Sequence, residues 1–450
     1  MTSSKSTINT TNNKQLFPIS SMVNEVGHLV IGRCNTVELA KNFGTPLYII
    51  DEETFKQNAN SYINSFNKHY HNVLVLYAAK AFSCTAIFKL VTNLGLGLDV
   101  VSSGELYTAL QANVNKEKIY FHGNNKTLEE INMAIDNSIG TIVCDNFHDL
   151  ELIQKTASKK NKIVNILIRL TPGIECHTHE YIKTGHLDSK FGFDLEQYDD
   201  VLEFIKTKGS NLHINGIHAH IGSQIFELKS FTDTVDIVLN QFLYTKEKYN
   251  IKLTELNLGG GLGIQYVQED DPPTIDELAN VISETIKIKC KKLNLNPPKL
   301  ICEPGRSLIG QSGITLYKAG STKQVPQGRK FVSVDGGMAD NPRPITYQAK
   351  YTAVVANKMN EKATKLITIA GRYCETGDIL IKDILLPKIE ENDLIAVLST
   401  GAYNYSMSSN YNMVPRPACI LVSEGKAEII IERETLEDLI AKHKVPNRLL

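Results

Sequence analysis

Several absences narrow the field before any motif is read. No apolar run in the 450 residues approaches the ~20 needed for a membrane-spanning helix. No C-x-x-C pair occurs. The eight cysteines, at positions 34, 84, 144, 176, 290, 302, 374 and 419, are scattered. Neither a disulfide framework nor a structural zinc site is expected from that spacing, and reduced thiols in the cytoplasm are the default. No charge sign dominates: 48 Lys and Arg face 49 Asp and Glu, a formal net charge of −1. That balance argues against a general nucleic-acid binder, which carries a basic footprint. Acids are missing from residues 1–18, MTSSKSTINTTNNKQLFP, where apolar residues are also scarce. Such a segment reads as a disordered tail. A transit peptide is the other reading, against which stand the missing arginine and the missing amphipathic spacing.

What remains is an ordinary globular composition, 42% hydrophobic and 22% charged. From Pro46 to about residue 310 the pattern alternates between short, often β-branched runs and helical periodicity. After Pro46–Ile50, eight strands are expected at Val73–Ala78, Gly97–Val101, Lys118–Phe121, Thr141–Cys144, Ile163–Leu170, Asn215–His220, Glu255–Leu258 and Leu300–Cys302. Helical periodicity fills the intervals, as in Ser103–Ala112, Asn146–Ala157 and Thr274–Leu293. Near-continuous apolar strands separated by helices mean a parallel sheet buried on both faces. Eight such units fit a (β/α)8 barrel over 46–310, the alternative being an open doubly wound sheet. After about residue 310 short β-rich segments follow, such as Lys330–Val334, Lys365–Ile369, Ala418–Val422 and Lys426–Ile431. They read as an all-β domain made of 311–450 together with 19–45, to which Leu29–Ile31 could add a strand.

Barrels of this kind place their chemistry at the C-terminal ends of the strands. There the sequence has Lys80 in YAAKA, Asp99 with Glu105 opening the next helix, His122 in HGNNK, Arg169, then HAHIGSQ with His218, His220 and Ser223. GGGLG with Gly260 and Gly261 follows, and then Glu303-Pro304-Gly305-Arg306. A lysine in a partly desolvated mouth has a lowered pKa and can form a Schiff base. Glycine-rich backbone can approach an anion closely, and Arg306 can add charge-assisted bonds to a phosphate or carboxylate. Glu303 could hydrogen-bond a cationic heterocycle nitrogen. His220 is read as a ring that packs on a flat ligand. His218 and His220, with His122, leave open a metal-dependent hydrolase barrel; His177 and His179 lack an obvious partner set. The β-rich part carries Arg343 and Tyr347 in a Pro-bounded loop, Cys374-Glu375 in a Gly turn that is not expected to be buried, and Tyr403.

Taken in order, YAAKA, HGNNK, THEYIKTGHLDSKFGF, HAHIGSQ, GGGLG, EPGR, VDGGMADNPRPITY, CETGD and STGAY resemble the diaminopimelate decarboxylases. These are fold-type III, alanine-racemase-like pyridoxal phosphate enzymes, and the match runs from about Gly44 to Val422. Ornithine- and arginine-type decarboxylases share the lysine, HIGS-like, GGG and EPGR pieces, whereas THEYIKTGH and CETGD point to the diaminopimelate branch. The wording Ala339-Asp-Asn-Pro-Arg-Pro departs from the commoner form but keeps Arg343 and Tyr347. The resemblance implies an α/β fold with a (β/α)8 barrel and a C-terminal β-barrel or β-sandwich domain. It also implies pyridoxal 5'-phosphate as cofactor, meso-diaminopimelate as substrate, no metal, and a homodimer in which the Cys-Glu segment reaches the other subunit's barrel. Lys80 would hold the cofactor, His220 stack on its ring and Glu303 bind its nitrogen. Ser223, Gly260, Gly261, Glu303 to Arg306 and Tyr403 would hold the phosphate side, with Asp99 and Glu105 in support. Arg306, Arg343, Tyr347, Glu375 and Tyr403 would grip the far end of the substrate, and Cys374 would return a proton to carbon. A sister decarboxylase acting on ornithine or arginine, and a relative that only binds a partner, remain as alternatives.

Overall fold

The computed structural model describes residues 13–174 and 189–450. Eight parallel strands close on themselves: β1 (Val73–Ala78), β2 (Gly97–Val100), β3 (Ile119–Phe121), β4 (Thr141–Cys144), β5 (Val164–Thr171), β6 (Leu212–His218), β7 (Glu255–Asn257) and β8 (Lys299–Cys302). Each strand pairs in parallel with the next; β8 pairs with β1 and β4 with β5, so no edge is left and the open-sheet alternative falls. Phe193–Asp194 adds a short parallel pairing to β5. Leu76, Tyr120, Val143, Leu167 and Ile301, from five strands, pack into one buried cluster. Each fully buried side chain of this size contributes about 1.5–3 kcal/mol.

Eight helices accompany the strands in chain order. They are α1 (Glu52–His69), α2 (Thr85–Asn93), α3 (Ser103–Gln111), α4 (Leu128–Asp136), α5 (Phe147–Lys159), α6 (Tyr198–Lys208), α7 (Lys229–Tyr249) and α8 (Ile275–Lys292). Their starts follow local chemistry. Ser102, Thr127, Asn146 and Thr274 cap α3, α4, α5 and α8, and in α4 and α8 a glutamate three residues on completes a capping box. The loop between β3 and α4 carries one half of a buried ion pair, whose other half, Asp149, lies on α5. Lys126 Nζ donates to Asp149 Oδ2 at 2.7 Å and to the carbonyls of Gly123 and Val143 at 2.6 and 2.7 Å. All three donors are used, so the HGNNK lysine is a structural tie that fixes the loop carrying His122.

The chain divides into two compact units, one of residues 1–14, 56–264 and 271–308 and the other of 15–55, 265–270 and 309–450. These bounds differ from the expected ones: residues 15–18, 46–55 and 265–270, with 309–310, fall in the second unit. Leu47–Asp51, expected at the head of the barrel segment, lies in the sheet of the second unit. It pairs antiparallel with Gly313–Gln324 and parallel with Ala418–Ser423. Its residues are buried throughout, so its apolar run looks like a barrel strand. The segment read as a disordered tail lies within the described residues only from Asn13 on, and that part is fixed: Asn13 Nδ2 donates to the carbonyls of Gly263 and Pro273, and Leu16 and Phe17 pack on an apolar cluster. Leu29–Ile31 belongs to the second unit, but in a small sheet of its own with Met22–Val23 and Cys34–Asn35. The nine strands of the main sheet of that unit include two the periodicity had not marked, Gly313–Gln324 and Ile379–Leu386. Among the described residues no helix is long and apolar enough to cross a membrane. The segment with His177, His179 and Cys176 lies outside the described residues.

The Lys126 tie yields a stability prediction. Lys126→Met leaves Asp149 charged and buried without its partner, a loss of about 3–5 kcal/mol. Thermal denaturation should show a clearly lowered midpoint, with part of the loss recovered in the Lys126→Met, Asp149→Leu double variant.

Candidate active site

The polar strand ends converge at one mouth of the barrel. Its centre is Glu303, the residue after β8, which is buried. Its Oε1 accepts from His122 Nε2 at 2.8 Å and from Asn257 Nδ2 at 2.6 Å; His218 Nε2 stands 3.3 Å from Oε2. Burial by itself would raise this carboxyl, but His122 and His218 outweigh it and hold Glu303 well below the ordinary range, so it is ionised. His122 also lies 3.7 Å from Asp99. Burial opposes its charge, yet Asp99 and Glu303 raise it, so His122 is the cation of the cluster. Burial lowers His218 to about 4; burial, with help from Lys80 and Arg169, holds His220 well below the ordinary histidine range. Both rings are neutral at pH 7, and His220 offers an uncharged flat surface.

Beside this centre the loops after β6 and β7 form a glycine-lined cradle. Gly261 has a φ of +119°, and a Cβ there would meet the Gly222 carbonyl at 2.6 Å; a Cβ on Gly260 would meet the Glu303 carbonyl at 2.3 Å. Only glycine fits at these two positions, where the backbone carries no side chain to keep a ligand away. Arg306, buried, donates to Ser223 Oγ at 2.9 Å. Asn257 joins this cradle to Glu303, because its Oδ1 accepts from the Gly259 amide at 2.9 Å.

Lys80 departs from the expectation of a partly desolvated amine. It sits on the short turn Ala79–Ala81 beyond β1, where the two alanines are buried and the lysine is exposed. The strand has already ended, so the apolar run preceding Lys80 does not enclose it. Its charge still acts on Asp99, Glu105 and His220. Glu105 accepts from the Val101 amide at 2.7 Å and from Ser83 Oγ. Burial pushes its carboxyl up to about 7.

Four neighbours were not assigned a ligand role from sequence, except that His122 was weighed as a metal ligand. His122 and Asn257 hold Glu303. Arg169 lies 3.4 Å from Asp145 and its guanidinium covers the Phe191 ring at 4.3 Å. All four occupy strand ends, the signal already applied to the other strands. His122, His218 and Glu303 present three ligand atoms within 4.8 Å of one another, a set that does not include His220.

In the second unit Arg343 is buried, and its Nη1 donates to the phenols of Tyr266 at 3.0 Å and Tyr351 at 2.8 Å. Phenols fix the cation without neutralising it. Tyr347 lies on the same short helix, with its ring 5.9 Å from the Arg343 guanidinium. Tyr403 adopts a φ of +61°. Cys374 and Glu375 are exposed, while six other cysteines, at 34, 84, 144, 290, 302 and 419, are buried. Asp378 turns inward from the same segment, accepting from the amides of Met338 at 2.7 Å and Tyr373 at 2.8 Å.

Residues 56–310 match the family model described as pyridoxal-dependent decarboxylase, pyridoxal binding domain. A diaminopimelate decarboxylase of Synechocystis is 50% identical over 448 residues, covering 97% of this chain and 95% of that protein. The chain belongs to the diaminopimelate decarboxylases. The Bacillus subtilis member is 44% identical, over 94% of this chain and 96% of its own. The crystal structure of the M. jannaschii enzyme in complex with L-lysine superposes with a TM-score of 0.90 at 37% identity, covering 97% of this chain and all of that one. Family membership sets the activity among carboxy-lyases and sets the hydrolase reading aside.

Glu105 gives a pH prediction for the cofactor-free protein. The unfolded carboxyl ionises near 4.5 and the folded one near 7, so the folded state binds more protons between these values. Stability therefore falls as pH rises through that window. In Glu105→Gln the decline of the melting temperature from pH 5 to 7 should be shallower; an unchanged slope contradicts the assignment.

Proposed function

We propose that this chain uses pyridoxal 5'-phosphate to convert meso-2,6-diaminopimelate to L-lysine and CO2, the last step of lysine biosynthesis. The observation that carries the reading is the donor set at one barrel mouth. An amine, a buried ionised carboxylate and a glycine-built anion cradle match the aldehyde, the ring nitrogen and the phosphate of that cofactor. When bound, pyridoxal phosphate supplies an electron-accepting ring that takes up the electron pair freed by loss of a carboxylate.

The chain's own residues do the rest. Lys80 would hold the cofactor through its amine. Glu303, ionised, would accept from the ring nitrogen and keep it protonated. His220, neutral, would offer its flat face to the ring. Ser223, Gly260, Gly261, the run Glu303-Pro304-Gly305-Arg306 and Tyr403 hold the phosphate, and Asp99 and Glu105 orient Lys80. Arg306 and Arg343, with Tyr347, Glu375 and Tyr403, bind the far end of the substrate, where a second carboxylate needs a cation. At the D-centre the bond from Cα to its carboxylate breaks and CO2 leaves. The Cys374 thiol then passes its proton to that same carbon, and solvent restores the thiol. We include a homodimer in this reading, with the Cys374-Glu375 segment of one copy serving the barrel of the other.

The direct test is CO2 release from meso-diaminopimelate with and without added cofactor. Ornithine lacks the distal carboxylate and would leave the arginines unpaired, so its kcat/KM should be lower by about 10⁴-fold. Comparable turnover of ornithine would hand the reading to the sister decarboxylases. The visible absorbance of lysine-bound cofactor should vanish in Lys80→Ala and persist in Cys374→Ala, whose kcat should collapse. Co-refolding these two inactive variants should restore about a quarter of wild-type activity if sites are shared across a two-fold dimer. No recovery would mean that each subunit supplies its own thiol.

A further inference from the structure

The anion cradle is built from two loops of different origin, and something must hold them at one spacing. Residues 219–225 follow β6 and residues 258–264 follow β7. Gln224 spans them. Its Nε2 donates to the Ile264 carbonyl at 2.7 Å, and its Oε1 accepts from the Ile264 amide at 3.2 Å. Both backbone groups of one residue, Ile264, are thus bound by both ends of one carboxamide. Only Asn or Gln combines a donor and an acceptor in this way, and Asn is one methylene shorter. Next to it, the Ile225 amide donates to the Gly261 carbonyl at 2.9 Å and the Gly263 amide to the Ile225 carbonyl at 3.0 Å. The loops therefore pair like two strands for a single step, with Ile225 opposite Leu262.

The backbone shows that this pairing is imposed. Gln224 has a φ of +58°, a left-handed conformation that a side chain disfavours. The side-chain bonds to Ile264 compensate for it. Clearance on the other side is minimal, since Gly261 faces the Gly222 carbonyl with no room for a Cβ. Ser223, next in the chain to Gln224, receives the Arg306 guanidinium. A shift of the Gln224 stitch would move Ser223 and Arg306 relative to Gly260 and Gly261.

We propose that Gln224 is a positioning residue for the phosphate half of the site, setting the distance between the Ser223 side and the Gly260–Gly261 side of the cradle. It touches neither substrate nor reacting atoms. The proposal rests on the functional reading above, and the ligand chemistry it concerns is a phosphate monoester.

Two substitutions separate bonding from volume. Gln224→Glu keeps the length and loses the donor; Gln224→Met keeps the length and loses both bonds. Cofactor-depleted enzyme is titrated with pyridoxal 5'-phosphate and, separately, with pyridoxal, which has the same ring and aldehyde but no phosphate. Both variants should bind pyridoxal 5'-phosphate about tenfold or more weakly than the wild type and pyridoxal within about twofold of it. At saturating cofactor, kcat should return to near the wild-type value. Inorganic phosphate should strengthen pyridoxal binding in the wild type and fail to do so in the variants. Unchanged affinity for the phosphorylated cofactor overturns the proposal. So does an equal loss for both ligands, which would mark general distortion of the barrel. If the wild type itself binds no pyridoxal 5'-phosphate, the functional reading fails first and takes this proposal with it.

Discussion

Much of the barrel mouth follows from one requirement, that a carboxylate can be ionised away from water only if donors surround it. Glu303 meets that requirement with His122 and Asn257 at hydrogen-bond distance and His218 close by. These partners come from the ends of three different strands, β3, β7 and β6, and only a closed ring brings such ends together. His122 stands between Glu303 and Asp99, so two acids share one cation. Asn257 connects the same carboxylate to the first glycine of the anion cradle. The charged centre and the phosphate-type loop are therefore parts of one hydrogen-bonded assembly, and a change at either is felt by the other.

The periodicity of the sequence carried most of the barrel. Val73–Ala78 and Thr141–Cys144 match their observed strands residue for residue, and the remaining barrel strands shift by one residue at one or both ends, except β6, which starts three residues earlier than expected. Leu47–Asp51 was misplaced because burial on both faces produces the same apolar run in a central sheet strand as in a barrel strand. The charged residues at strand ends were legible as candidates, since placement alone singles them out. What each one does was less legible. His122 reads as a metal ligand until its partner is seen to be Glu303, and Lys80 reads as enclosed until its turn is seen to extend past the strand. Hydrogen-bond partners far apart in the chain leave no local pattern to find.

In the second unit two acids organise what the motifs announce. Asp340 is buried and accepts from the phenols of Tyr317 at 2.5 Å and Tyr373 at 3.2 Å; burial raises it to about 7. Asp378 ties the Cys374 turn to Met338. Together they lace the segment bearing Arg343 to the segment bearing Cys374 within one chain. CETGD shows this in miniature: Cys374 and Glu375 are exposed because Asp378, three residues on, turns inward.

The position of Leu47–Asp51 also governs the order in which the chain can assemble. This strand is central in its sheet, and one of its two neighbours, Ala418–Ser423, is made about 370 residues later. At about 5–20 residues per second, translation leaves the first strand waiting roughly 20–75 s for that neighbour. All eight barrel strands emerge in the meantime, each close in sequence to the next. The barrel can mature on the ribosome, whereas the β sheet is closed later, by a strand made well after the last barrel strand. A truncated product would therefore carry an ordered barrel with an unpaired apolar strand at its head, a form that invites aggregation and clearance.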